Sequence, residues 1–326
     1  AEYDGQRLDS YKGVKIETAP TIEKSGMAAA SASFFATLKV ALGRYDVVHI
    51  HAEGPAFFCW LLKLAGKRVV CQCHGLDHER PRWKGNLGGW YIKQGEKKMV
   101  KHADEIIVLS KNIQKYFKSV YGRRTVYIPN GVRRPELKGA SLIKEKWQLR
   151  KDSYILLLSR LTEEKGVHYL LEAYKGLKTD KKLVIAGGSS DSMKYVHRIK
   201  AMADGNPDII FTGYVQGRLL EELYSNAYIY VIPSDIEGMP LTLLEAMSYG
   251  NCCLTSDIPE CIEVVDEKAM HFEQGNIADL QEKLEKLLDT PMLVDCYKRE
   301  AADYICSKYD WEKTADKVSG LYNGVS

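Results

Sequence analysis

The feature that most constrains this chain is a repeated alternation. Short apolar runs at 47–51, 69–73, 106–109 and 126–128 alternate with longer helical patterns at 27–42, 57–64, 87–102 and 111–121. The alternation resumes at 154–159, 183–186, 209–211, 228–232 and 252–255, with helical segments between. Strands alternating with helices imply parallel sheets in βαβ units. Strands that are apolar throughout imply sheets covered on both faces. The fold class is α/β. The stretch "IPNGVRRPELKG" at 128–139, with two prolines, two glycines and an Asn-Gly step, interrupts the pattern as a linker would. It separates two halves of similar kind, and 326 residues suit two domains of roughly 100–200 residues each. Ligands of such sheets bind beyond the carboxyl ends of the strands, so two sheets facing each other would form a cleft.

No apolar run reaches the roughly 18 residues of a membrane-spanning helix, and no signal-peptide pattern is visible. A cytoplasmic location is expected. The net charge of +3 hides an asymmetry: residues 80–134 hold fourteen Lys or Arg against three Asp or Glu, an excess of +11, so the remainder carries −8. A basic half-domain suits an anionic partner such as a membrane surface or a phosphate-bearing substrate, or else a set of solvated helix faces. Lys93, Lys97 and Lys101 recur every four residues, and Lys111, Lys115 and Lys118 share one helix face. The eight cysteines fall into no paired C-x-x-C zinc pattern; those in the runs at 69–73 and 252–255 are expected buried and reduced.

Three strand-following loops of the second half carry candidate chemistry. In "SRLTEEKG", Arg160 and Lys165 sit before a helix, where two cations suit a diphosphate. In "IAGGSS", Gly187 and Gly188 would let a phosphate or sugar approach the backbone, although such glycines are often only a turn. In "DIEGMPLTLLEAMSYG", Glu237 and Glu245 have seven residues between them. Pro240 fits the first turn of a helix. The backbone around Gly238, Met239, Pro240 and Leu241 forms a helix start that favours anions. A pyrophosphate there would leave Glu237 for sugar hydroxyls and Glu245 for ribose hydroxyls.

These residues carry a resemblance. "EGMPLTLLEAMSYG" resembles the E-x7-E motif of retaining glycosyltransferases of the GT-B fold, in the large family 4 that includes sugar transferases of bacterial capsule, exopolysaccharide and lipopolysaccharide synthesis. "LSRLTEEKG" resembles that family's phosphate loop and "YIPNGV" its hinge. "HGLDHERPRW" with "GEKKMVKHADEIIVLS" resembles its N-terminal domain, especially in rhamnosyltransferase-like members, and "YDWEKTADKVSGLY" its last helix. The resemblance implies an acceptor-side Rossmann-like domain at 1–135, a nucleotide-sugar-binding one at 136–308, and a helix at 309–326 that crosses back. It also implies a first strand and glycine-rich loop ahead of the residues at hand.

The activity so implied moves a sugar, with retention, from a UDP-, GDP- or dTDP-linked donor to a hydroxyl of a glycan or lipid-linked acceptor. Arg160 and Lys165 would stabilise the leaving diphosphate, Glu237 would orient the sugar, and His74 would lie near it. Glu245 would hold the ribose, and Asp77, His78, Glu79, Arg82 and Glu53 would lie on the acceptor side, near His49 and His51. No cofactor, required metal or nucleic acid is expected, and peripheral contact with an anionic membrane is. A nucleotide-sugar epimerase or phosphorylase, or a non-catalytic partner of the same fold, is the alternative.

Overall fold

The structure, a computed structural model, describes residues 2–3, 6–7, 9–24, 27–188 and 193–324. The chain divides into two compact units. Ala1–Val108, Ile113–Tyr127 and Ser319–Ser326 form one; Leu109–Asn112 and Ile128–Val318 form the other.

The first unit holds a parallel sheet of β1 (Val47–His51), β2 (Arg68–Cys73), β3 (Glu105–Val108) and β4 (Val126–Tyr127), in that order. Val48 pairs with Val69, and Cys71 with Ile106. Its helices are α1 (Ala28–Leu42), α2 (Cys59–Leu64), α3 (Leu87–His102) and α4 (Lys111–Tyr121). Asn86 starts α3 by accepting from Gly89 N at 3.0 Å, satisfying one of the unpaired N–H groups of the first turn. Met99 of α3 and Ile113 and Phe117 of α4 pack with Val69, Cys71, Ile106 and Val108 in one core. The lysines of α4 therefore face outward.

The second unit holds six parallel strands: β5 (Tyr154–Leu158), β6 (Lys182–Ala186), β7 (Ile209–Gly213), β8 (Ile229–Ile232), β9 (Cys252–Ser256) and β10 (Met270–Phe272). Their order is β7-β6-β5-β8-β9-β10. The helices are α5 (Leu142–Trp147), α6 (Val167–Lys175), α7 (Met193–Met202), α8 (Arg218–Asn226), α9 (Leu241–Ser248), α10 (Pro259–Val265), α11 (Ile277–Asp289), α12 (Pro291–Lys308) and α13 (Trp311–Tyr322). Leu156, Val184 and Tyr230 face one core, while Ile155, Leu157, Ile185 and Val231 face a second. Both faces of the sheet are buried, which is why its strands read as unbroken apolar runs.

Three details differ from expectation. β10 has three residues with His271 exposed, too short and too mixed to stand out as an apolar run. The pattern at 57–64 begins as a tight turn at Pro55–Phe58 before α2. Pro240 is the N-cap of α9, extended at φ −76° and ψ 92°, so the helix proper begins at Leu241. The last turn of α13 belongs with the first unit, where Arg68 Nε donates to Leu321 O at 3.0 Å and Tyr322 Oη lies 2.7 Å from His49 Nδ1. Six cysteines are buried, among them Cys71, Cys73, Cys252 and Cys253, and all eight are free thiols; Cys296 is exposed.

Candidate active site

The strand order of the second unit reverses between β5 and β8, the switch point at which open α/β sheets bind ligands. The loops that follow these strands carry Arg160, Lys165 and Glu237. They meet so closely that one position must be glycine. Gly166 has φ 63°, and a Cβ there would lie 1.9 Å from Pro233 O. Asp235 N donates to Glu164 O at 2.8 Å. Lys165 Nζ and Glu237 Oε1 form an ion pair at 2.5 Å, with side chains only 12% and 10% exposed. Arg160 is different: its side chain is 56% exposed and lies 3.9 Å from Glu164 Oε1, so it can turn to a ligand at little cost.

The two glycines after β6 have separate explanations. Gly187 has φ 134°, and a Cβ there would lie 1.8 Å from Ser159 O. Packing against the Arg160 loop, rather than approach of a ligand, is what requires glycine there, which corrects the reading of this position. A Cβ on Gly188 would meet nothing nearer than Tyr214 Cβ at 4.0 Å, so that backbone is open. The serines that follow at 189–190 lie outside the described residues.

Gly238, Met239 and Pro240 are buried ahead of α9, and Leu241 is exposed. Met239 Sδ accepts from Asn130 N at 3.1 Å, so this side chain is committed to packing and only its backbone can serve a ligand. Glu245 lies one turn into α9, where Tyr224 donates to Oε2 at 3.0 Å. Burial pushes the Glu245 carboxyl above its ordinary range, and the Tyr224 hydrogen bond opposes that rise. Glu245 borders a groove of about 550 Å³ whose walls include Leu241, Leu244, Tyr224, Tyr249 and Trp311. Tyr224 stacks on Tyr249 with ring centroids 5.2 Å apart. A carboxylate at one wall of an apolar, aromatic groove suits a ligand with hydroxyls beside a flat ring.

The remaining candidates belong to the first unit. His74 follows β2, half-buried, with Nε2 3.0 Å from His51 Nδ1. His51 stacks in turn on His49, whose ring burial lowers to about 4. Asp77 pairs with Arg80 at 2.8 Å, and Arg82 lies over the Trp83 ring at 4.7 Å. His78 approaches Glu96, and Glu79 is exposed.

Two first-unit expectations are corrected. Glu53 is 0% exposed and receives Cys73 Sγ at 3.5 Å, so it cannot meet an acceptor. Burial, helped by the nearby Asp77, pushes its carboxyl up to about 8. Lys93 is not on an outward basic face: its ammonium donates to the buried Glu96 at 2.9 Å. Lys97, Lys101, Lys115 and Lys118 are exposed.

Sequence reasoning missed Tyr224 and Asp235. Asp235 accepts from Tyr169 Oη and Gln274 Nε2, both at 3.3 Å, and thereby braces the Glu237 loop. Asp235 stands two residues before Glu237, a visible signal. Tyr224 gave none, because nothing in its helix distinguishes a site tyrosine from a core one.

This geometry belongs to a known class. The chain is a member of the glycosyl transferases group 1 family, whose model matches residues 141–318, and the glycosyltransferase family 4 model matches residues 3–134. It is therefore a glycosyltransferase with two Rossmann-like units of the GT-B class. An uncharacterized glycosyltransferase of Methanocaldococcus jannaschii is 24% identical over 301 residues, 86% of this chain and 75% of that protein. The N,N'-diacetylbacillosaminyl-diphospho-undecaprenol alpha-1,3-N-acetylgalactosaminyltransferase of Campylobacter jejuni is 28% identical over 188 residues, 54% of this chain and 46% of that protein. Anabaena HepE in complex with UDP-glucose superposes with a TM-score of 0.78 at 15% identity, covering 89% of this chain and 82% of that one. No helix of the described residues is long and apolar enough to cross a membrane.

Proposed function

We propose that this glycosyltransferase takes its sugar from a nucleoside-diphosphate donor and transfers it with retained anomeric configuration to a hydroxyl of a glycan or lipid-linked acceptor. The observation that carries this reading is the convergence of Lys165, Glu237 and the start of α9 at the β5/β8 switch, with Glu245 at the adjoining groove. The diphosphate would lie at the N-terminus of α9 between Arg160 and Lys165, the donor ribose on Glu245, and the sugar beside Glu237. The bond from the anomeric carbon to the phosphate oxygen breaks as the acceptor oxygen bonds to that carbon. The acceptor proton passes to the leaving phosphate oxygen on the same face. Cations fixed where negative charge develops supply the stabilisation, and no metal is required. The HepE complex supports the donor class, and the Campylobacter enzyme, named for a diphospho-undecaprenol substrate, supports a lipid-linked acceptor.

Calorimetry against UDP, GDP and dTDP tests the donor. One of them should bind, and Glu245→Gln should weaken that binding by roughly 1.5–3 kcal/mol, the worth of a hydrogen bond to a charged group. Unchanged affinity in that variant removes the ribose-binding role. Turnover should persist in EDTA; its loss there contradicts the metal-free step.

A further inference from the structure

Tyr224 is polar at its tip and otherwise wholly buried, at 2% exposure. Its ring is stacked on Tyr249 and tilted against Tyr230 with centroids 5.9 Å apart. Its carbonyl accepts from the buried Asn251 at 2.9 Å. The ring therefore has no freedom, and the hydroxyl is aimed by the packing of α8 against α9 and β8. That hydroxyl has one proton and two acceptors in reach, Glu245 Oε2 at 3.0 Å and Thr242 O at 3.4 Å. The shorter bond goes to the charged group, and charge-assisted bonds are the stronger kind.

We propose that Tyr224 is a positioning residue for the donor: it holds Oε2 of Glu245 and so presents Oε1 to a ligand in the groove. The inference rests on the reading of Glu245 as the ribose-binding carboxylate. The physical requirement is specific. A carboxylate that must accept from two vicinal hydroxyls needs a fixed plane, and a glutamate on an exposed helix face would have three torsions to freeze on binding. Tyr224 freezes them beforehand. It has a second effect, because burial favours the protonated acid and the tyrosine bond favours the carboxylate. The other titratable or charged groups around this carboxylate are Glu221 of α8, Tyr249 just beyond α9, Tyr230 of β8, and Arg133 at the groove wall. None of these is hydrogen-bonded to Glu245 among the described residues, whereas Tyr224 is.

The test is a double-mutant cycle in the full chain, read by calorimetry with whichever of UDP, GDP or dTDP binds the unaltered protein. Tyr224→Phe keeps the ring and its stacking and removes only the hydroxyl. It should weaken nucleotide binding about tenfold, raise the donor KM and leave kcat nearly unchanged. The loss of affinity on the acid side should begin at a higher pH than in the unaltered protein, because the bond opposing protonation is gone. In a Glu245→Gln background the same change should do almost nothing. Additive losses in the double variant, or a full-affinity Tyr224→Phe beside a weakened Glu245→Gln, overturn the positioning role and leave the donor reading standing. Full affinity in Glu245→Gln itself overturns both.

Discussion

Lys165 and Glu237 are each other's partners, 2.5 Å apart and nearly closed to solvent. The sequence suggested two separate tasks, a cation for phosphate and a carboxylate for sugar. In the folded protein they form one unit across the β5/β8 switch. Each prevents the other from being a buried, unpaired charge; on the donor reading proposed above, a diphosphate would meet an ammonium whose position Glu237 has already fixed.

The two clamp cations should therefore behave differently when removed. Lys165→Ala and Arg160→Ala should each lower turnover by two or more orders of magnitude, about 2.7 kcal/mol at 1.36 per decade. Lys165→Ala should also destabilise the fold by about 3 kcal/mol, because it strands Glu237. Adding Glu237→Gln should restore the melting temperature without restoring turnover. The exposed Arg160 should cost the fold less than about 0.5 kcal/mol. Normal turnover in Arg160→Ala makes it an ordinary surface cation.

The glycines divide the same way. Gly187→Ala must displace the Ser159 carbonyl and adopt a disfavoured φ, at a cost of about 1–3 kcal/mol. Gly188→Ala enters open space, so its melting temperature should hold while nucleotide affinity falls if a phosphate approaches that backbone. Thermal melts and calorimetry on the two variants separate packing from binding.

Glu53 gives a pH dependence of stability. Its folded carboxyl is held up at about 8, against 4.5 for the free side chain. Between those values the unfolded chain releases the proton and the folded chain keeps it, so this group favours the fold progressively less as pH rises from about 4.5 to about 8. Glu53→Gln removes the ionisation. The variant should match the parent near pH 5 in urea melts and exceed it by about 2 kcal/mol or more near pH 8, at about 1.36 kcal/mol per pH unit. Parallel pH profiles would mean that Glu53 is ionised in its buried site.

Lys97, Lys101, Lys111, Lys115 and Lys118 are the exposed basic residues of α3 and α4. At about 1 kcal/mol each near an anionic leaflet, they should bring the protein down with phosphatidylserine vesicles at low salt. Binding should fall as salt rises and fall again when Lys115 and Lys118 become Glu. Lys93→Glu should instead unsettle the fold, because it places a second carboxylate against Glu96. Protein left in the supernatant at low salt counts against membrane docking and for a water-borne acceptor.

The sequence alone determined the α/β class, the division into two halves, the strands of the two parallel sheets apart from β10, the main helices of the first half, and the stretch that carries Glu237 and Glu245. Those properties are local: apolar runs buried on both faces, helical periodicity, and glycine or proline where the chain turns. What only the tertiary structure decided are relations between distant segments. Glu53 stood at a strand end and looked available, but packing closed over it. Lys93 fitted a basic helix face, but a buried Glu96 one turn away claimed it. Gly187 looked like a ligand contact, and the Ser159 carbonyl occupies the space where its side chain would be. Tyr224 was one aromatic among twenty tyrosines until the packing of α8 on α9 set its hydroxyl on Glu245. Burial and pairing depend on which side chains meet across the fold, and spacing along one chain does not encode that.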